Sequence, residues 1–305
     1  MKKIAGYFII LFFGMNGVLS SCVNDELDEK SIFDTDPVER NEFDTWLLYN
    51  YVYPYNIQVK YRFDTYEADR QYNVVPADYA TSVRMAKIVK HLWIESYEEV
   101  AGLDFIRANA PRILHFIGSL QYNPQEGTVT LGVAEGGIKI TLTFVNSLDA
   151  TNLDMMNYYY FNTMHHEFAH ILQQKNPPPT EFNEFSSRYY SPTTWFNRGD
   201  YPEVYTSMGF VSAYAGSEPN EDFVEVIARY LTMTQATWDA ILAAGDGYAD
   251  SAATMTGKEI ILRKLELVRE YMRVIWGVDL DRLREVVRRR SAELPYLDLE
   301  DITVN

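Results

Sequence analysis

The sequence predicts an α+β fold: a small mixed sheet early in the chain, one motif-bearing helix in mid-chain, and a helical C-terminal part. Three observations carry this reading. Short apolar segments with strand-like patterning, at 54–63, 112–120 and 138–145, all lie in the N-terminal half. A stretch before residue 176 repeats apolar residues at three- and four-residue steps, with a triple proline after it. Beyond residue 230 the pattern is helical throughout.

Residues 1–21 stand apart from the fold. Lys2-Lys3 form a positive start, and Ile4 to Val18 form an apolar run too short to span a bilayer comfortably. Leu19-Ser20-Ser21-Cys22 then closes the segment, which resembles a bacterial lipobox. The reading is a lipoprotein signal peptide, with Cys22 lipidated and holding the protein on the outer membrane. An ordinary signal peptide or a short anchor helix is the alternative. Cys22 is the one cysteine of the chain, so disulfides give no support and stability rests on the core. Residues 22–40 read as an acidic flexible tether. Its Asn24-Asp-Glu-Leu-Asp-Glu29 resembles the signal that sends some Gram-negative lipoproteins to the cell surface. Retention on the periplasmic face is the other outcome.

Residues 41–305 are expected to form the folded domain, with an α/β part at 41–150 and a helical part at 151–305. Asn41 to Tyr53, rich in aromatics, starts it as a helix. Pro54 to Phe63 alternates as a strand. Ala77–Glu99 reads as a helix, or two broken near Ser96. Arg112–Leu120 and Thr128–Val133 are strands, and Gly136-Gly137 turns into the strand Ile138–Val145. With glycines at 132, 136 and 137 nearby, that strand is either an exposed edge offered to an extended ligand or a plain core strand. Residues 176–213 are a long loop region whose Pro177-Pro-Pro179, Tyr189-Tyr190 and Trp195-Phe196 either rim a cleft or pack as loop residues. Helices follow at Leu231–Ala244, Lys258–Trp276 and Leu280–Leu294. The arginines at 282, 284 and 288–290 read as a solvated face that balances an acidic protein.

The mid-chain helix contains His166-Glu167-x-x-His170. Four-residue spacing places both imidazoles on one helix face, where they can share a metal ion. Glu167 beside them suits a base that takes a proton from water, the arrangement of a zinc hydrolase. Phe161, Met164, Phe168 and Ile171 make a buried stripe that leaves the histidines facing a cleft. Thr151-x-x-Asp154 is a candidate capping box, and Lys175-Asn176 before the prolines ends the helix. His165 points about 100° away from His166 around the helix and reads as a buried or supporting residue.

A catalytic zinc needs a third protein ligand. His91 and His115 lie in separate upstream segments. The best candidate is the helix start Ser217–Leu231, capped by Ser217 or Asn220 with Pro219 in its first turn. Glu221 and Glu225 lie four apart on one face. Glu221 is read as the ligand and Glu225 as the group that orients a ligand histidine. Asp222 is the rival ligand, one residue away.

With these residues assembled, the chain resembles the gluzincin metallopeptidases, in which a downstream Glu completes a zinc site built on His-Glu-x-x-His. That resemblance implies a zincin-like domain and Zn²⁺ as cofactor. It also implies a role for Tyr214 in stabilising the oxyanion, although an ordinary packing tyrosine remains open. A narrower resemblance rests on the lipobox, the acidic leader, the segment Pro54-Tyr-Asn-Ile-x-Val-x-Tyr-Arg62 and the mid-chain motif. Together these resemble zinc metallohydrolase lipoproteins associated with substrate import. That implies a peptidase acting on peptides or glycopeptides beside an outer-membrane, TonB-dependent nutrient importer. A non-catalytic, zinc-containing lipoprotein that binds glycan or peptide is the alternative, and a zinc-free surface lipoprotein a third. The net charge of −16 argues against nonspecific nucleic-acid binding.

Overall fold

The computed structural model describes residues 39–64, 66, 72–123, 128–130, 132–135, 137–199 and 201–304. The expected signal segment, Cys22 and nearly all of the expected tether lie outside these described residues, as do Gly136 and residue 131 of the expected strand 128–133. Asn41–Asn305 form one compact unit.

Its first helix, α1 (Glu42–Leu47), opens on a reciprocal cap. Asn41 Oδ1 accepts from the Asp44 amide at 2.7 Å, and Asp44 Oδ2 accepts from the Asn41 amide at 3.0 Å. A π-turn at Leu48–Val52 carries the chain into Tyr53–Tyr55, and Asn56 ends it in the left-handed conformation. Pro54 and Tyr55 are therefore helical, and the expected strand shrinks to β1 (Gln58–Lys60). The next helix, α2 (Tyr79–Val89), does not break near Ser96. It continues through a π-turn at Lys90–Ile94 into α3 (Glu95–Ala101), where the Ser96 hydroxyl donates back to the Leu92 carbonyl at 2.7 Å. The break falls at Gly102, whose φ of +87° suits glycine, before α4 (Leu103–Asn109).

The strands β2 (Ile113–Phe116), β5 (Gly132–Glu135) and β6 (Lys139–Leu142) complete a four-stranded sheet in the order β1-β2-β6-β5. The pairs β1–β2 and β2–β6 are parallel and β5–β6 is antiparallel, so the sheet is mixed. Val59, Leu114, Ile140 and Ala134 line up across it. Every residue of β6 is buried, as expected for a strand flanked on both sides and covered on both faces. The expected strand 138–145 thus shrinks to the interior strand Lys139–Leu142, with Ile138 exposed and a 3-10 turn at Val145–Ser147, and the edges are β1 and β5. Thr128–Val133 is not one strand: β3 (Gln121–Asn123) and β4 (Thr128–Thr130) make a separate antiparallel pair, and residue 132 already belongs to β5.

Leu153–Met156 (α5) and a π-turn at Asn157–Phe161 lead without interruption into α6 (Asn162–Lys175). The cap is Asn152, whose Oδ1 accepts from the Met155 amide at 2.9 Å. Thr151 does not form the expected capping box. Its amide and hydroxyl both donate to Asp149 Oδ1, a local turn that competes with capping. Asn176 is extended, as a residue before proline should be, and ends the helix. Buried Phe168 meets Trp93 and Tyr97 edge-on at 5.3 and 5.0 Å, which locks α6 to the α2–α3 segment.

The long loop holds α7 (Thr180–Glu184), a 3-10 turn at Trp195–Arg198 and α8 (Pro202–Ser207). Four helices then finish the chain: α9 (Pro219–Thr232), α10 (Gln235–Ala244), α11 (Gly257–Trp276) and α12 (Leu280–Glu293). Phe223 of α9 packs edge-on against Phe182 and Tyr271, joining α7, α9 and α11. The arginine run of α12 is not a merely solvated face. Arg290 bridges to Glu95 at 2.8 Å and Glu99 at 3.2 Å, Arg289 also reaches Glu99, and Arg284 is buried over the Tyr230 ring at 4.2 Å. No helix among the described residues is long and apolar enough to cross a membrane.

Candidate metal centre

The helix α6 presents His166 and His170 one turn apart, with ring centroids 4.7 Å apart. Opposite them, the first turn of α9 supplies Glu221. Glu218 holds the cap position of α9 and no side chain caps it, so neither Ser217 nor Asn220 acts as expected. Ser217 instead closes the 3-10 turn Tyr214–Gly216, its amide donating to the Tyr214 carbonyl at 2.9 Å. The first turn is then aimed across at α6.

Three ligand atoms converge. His166 Nε2 lies 3.0 Å from Glu221 Oε2, His170 Nε2 lies 3.3 Å from the same oxygen, and the two Nε2 atoms are 3.1 Å apart. Three corners of a tetrahedron around a zinc ion at about 2.0–2.1 Å are roughly 3.3–3.4 Å apart. The triangle is slightly smaller than that, so zinc fits with a few tenths of an ångström of opening and keeps a fourth position free. Among the described residues these three form the group that could hold a metal ion.

The surroundings prepare the nitrogens. His166 Nδ1 lies 3.0 Å from Glu225 Oε1. Donation from Nδ1 leaves the Nε2 lone pair facing the other two ligand atoms. Glu225 is fully enclosed, and its second oxygen accepts from Ser212 Oγ at 2.6 Å and Arg229 Nε at 3.1 Å. His170 Nδ1 lies 3.0 Å from the side-chain amide of Gln173. The atom facing the ring is the amide nitrogen; the tautomer that frees Nε2 needs the amide turned over so that its oxygen accepts from Nδ1. Gln173, Ser212 and Arg229 were not singled out from the sequence. Gln173 was findable at three residues beyond His170 on the same helix face, whereas nothing local marks Ser212.

The electrostatics fit a cation. Burial works against a charged His166, but hydrogen bonds to Glu221 and Glu225 outweigh it and push the imidazole up to about 10. Burial likewise opposes ionised Glu221, yet His166 and His170 bring it down to about 2. Glu225 is held still lower, with burial overcome by the Arg229 charge and the His166 contact. One buried and one half-buried carboxylate around two imidazoles therefore hold positive charge strongly, and a divalent ion satisfies the same demand.

Glu167 is half-buried beside this triangle. Tyr214 is 37% exposed, with its ring 5.9 Å from that of His166. Burial, then the charge of Glu221 and a hydrogen bond to it, push the Tyr214 hydroxyl far up, so it keeps its proton and can donate. Asp222 does not join the triangle. It points the other way, fully enclosed, with Oδ2 bonded to Lys264 at 2.5 Å and to the Tyr190 hydroxyl at 2.8 Å. His165 also turns away. It is fully buried, with Nδ1 3.1 Å from the Tyr97 hydroxyl, and burial pushes it down to about 3.

The comparisons with known proteins agree with a zinc site. Residues 36–281 match a family described as "putative zinc-binding metallo-peptidase". A crystal structure described as "a putative zinc-binding metallo-peptidase from Bacteroides caccae ATCC 43185" is 49% identical, covering 90% of this chain and 100% of that chain, with a TM-score of 0.74. No curated protein matches the chain. With more than half of its length matched by that family and a zinc-sized triangle of His166, His170 and Glu221 in its fold, the chain belongs to the zinc-binding metallo-peptidases.

Proposed function

We propose that this protein is a zinc-dependent peptidase of the His-Glu-x-x-His, gluzincin-like type that hydrolyses peptide bonds at the bacterial cell surface. The observation that carries the reading is the triangle of His166, His170 and Glu221 with 3.0–3.3 Å sides, built on the same helix turn as Glu167. A structural zinc has no use for a carboxylate at that place, and structural sites are usually closed by cysteines. When bound, zinc supplies Lewis acidity at the scissile carbonyl and lowers the pKa of water. Glu167 takes the proton of the attacking water and returns it to the leaving amine. The Tyr214 hydroxyl donates to the oxygen on which charge develops. Glu225 holds the His166 imidazole in the tautomer that keeps its Nε2 available.

The setting is proposed from the N-terminal segment. Lipidation at Cys22 would anchor the protein to the outer membrane, and the acidic tether would favour display outside. There it would trim peptides or glycopeptides for a TonB-dependent importer.

The test is cleavage profiling of a diverse peptide library by the zinc-loaded protein, with and without chelator. Cleavage that chelator abolishes and zinc restores is expected. Glu167→Gln should retain zinc and lose about 10²-fold or more of the rate. Full turnover by that variant would remove Glu167 from its role, and zinc-loaded wild type without cleavage would remove the peptidase reading. Cys22→Ser should release the protein from membranes, and protease added to intact cells should reach the wild type.

A further inference from the structure

We propose that Trp195 and Phe196 form a specificity subsite that receives an aromatic or large apolar side chain next to the scissile bond. This inference rests on the peptidase reading. A chain of rings runs outward from the metal triangle. His166 meets Tyr214 at 5.9 Å, Tyr214 meets Trp195 at 5.0 Å, and Trp195 meets Phe196 at 5.9 Å. Trp195 is partly buried, and Phe196 at its outer end is 56% exposed. An exposed aromatic that continues a line of rings from the reacting centre is placed to touch whatever extends from that centre.

The angles say what kind of group fits. Trp195 stands at 75° to Tyr214 and 81° to Phe196. Successive rings are close to perpendicular, so together they form corners and no flat platform. A corner of this kind receives a planar or bulky apolar side chain, one ring wall meeting its face and the other its edge. A run of sugars lying flat needs several coplanar rings, which these angles do not supply.

The corner is also held in place. The Ser191 amide donates to the Gly216 carbonyl at 2.8 Å, and the Trp195 amide to the Ser191 carbonyl at 3.1 Å. Arg198 reaches the Tyr189 carbonyl and the Ala213 carbonyl, and its guanidinium lies over the Phe210 ring at 5.1 Å. These bonds strap the Trp195 turn to the Tyr214 turn from both sides. A Cβ on Gly216 would come within 1.7 Å of Arg198 Nη1, so the strap depends on glycine there. A subsite fixed before ligand arrives loses little conformational freedom on binding.

The test compares zinc-loaded wild type, Trp195→Ala and Trp195→Phe on peptide pairs that differ only by Phe or Ala beside the bond cut in the library. The wild type should favour Phe in kcat/KM roughly tenfold or more, chiefly through KM. Trp195→Ala should collapse that ratio, and Trp195→Phe should keep most of it. Zinc content should stay the same in all three. A purely structural role for Trp195 would lower both peptides alike and keep the ratio, which would overturn the proposal. If the wild type cuts no peptide, the peptidase reading fails. Equilibrium binding of the same pairs to zinc-loaded Glu167→Gln, with and without Trp195→Ala, then decides the subsite: Phe preference lost with Trp195 supports it, and its persistence or absence overturns it. Competition by oligosaccharide, with no Phe preference, would assign the rings to glycan and also overturn it.

Discussion

Lys264 Nζ lies 2.5 Å from Asp222 Oδ2, and neither side chain is exposed to solvent. The ammonium also donates to Ser186 Oγ at 2.7 Å and to the Gly209 carbonyl at 2.8 Å, which uses all three of its protons. The pair ties α9 to α11 directly behind the turn that carries Glu221. Burial pushes the carboxyl up and the amine down, while their mutual attraction opposes both shifts. Removing one partner strands the other. Lys264→Met should lower stability by about 3–5 kcal/mol. Denaturant unfolding measures it, and Lys264→Met with Asp222→Leu should recover part of the loss. A single variant as stable as wild type would show that the pair does not brace α9.

Glu225 is the residue behind His166. In Glu225→Gln the size is kept, but one acceptor oxygen becomes an amide NH2 donor facing His166 or the Ser212 and Arg229 donors. Zinc affinity should fall about 10–100-fold, as losses at groups that orient metal ligands do. Competition with a chromophoric chelator reads this, and circular dichroism checks the fold. Unchanged affinity would separate Glu225 from the metal site.

Gly257 opens α11, within the reciprocal cap of Thr256 and Glu259. A Cβ there would lie 1.7 Å from the Thr206 carbonyl oxygen and 2.7 Å from Ser207 Cα. Both are backbone atoms, so no side chain can swing aside. Gly257→Ala should cost roughly 2–4 kcal/mol, the upper range for overpacking. Thermal unfolding tests it against Gly247→Ala, where a Cβ meets nothing within 4 Å.

Glu95 predicts an acid-sensitive clamp. Burial opposes its ionisation, but hydrogen bonds from His91 and Lys90 and the charge of Arg290 bring it to about 2 from its usual 4.5. The folded pKa is below the unfolded one, so the contribution is complete above about pH 4.5 and is lost as pH falls from there towards 2. With partial exposure screening the charges, it is on the order of 2 kcal/mol. Urea unfolding between pH 7 and pH 3 should show wild type losing more stability on acidification than Glu95→Gln. Parallel pH profiles would show that Glu95 contributes nothing of this kind.

Much of this protein was legible one segment at a time. Four-residue spacing places His166 and His170 on one helix face whatever surrounds them, because helix geometry is local. The prolines at 177–179, the extents of α11 and α12 and the mixed early sheet followed from equally local rules. The extent of β1 and the cap of α5 did not, because Pro54 joined a helical turn and Asp149 captured Thr151 before it could cap. Strand order was hidden as well: β6 is interior because β2 and β5 pair with it, and no pattern within residues 138–145 names those partners. The choice between Glu221 and Asp222 was likewise beyond local pattern. Both lie in the first turn of one helix, and which one faces the histidines depends on where Lys264, from a helix packed behind, takes the other carboxylate. Sequence determined which chemical groups the chain carries and how they repeat along each element. Tertiary structure decided which of them meet, because pairing between distant elements is set by burial and charge in three dimensions.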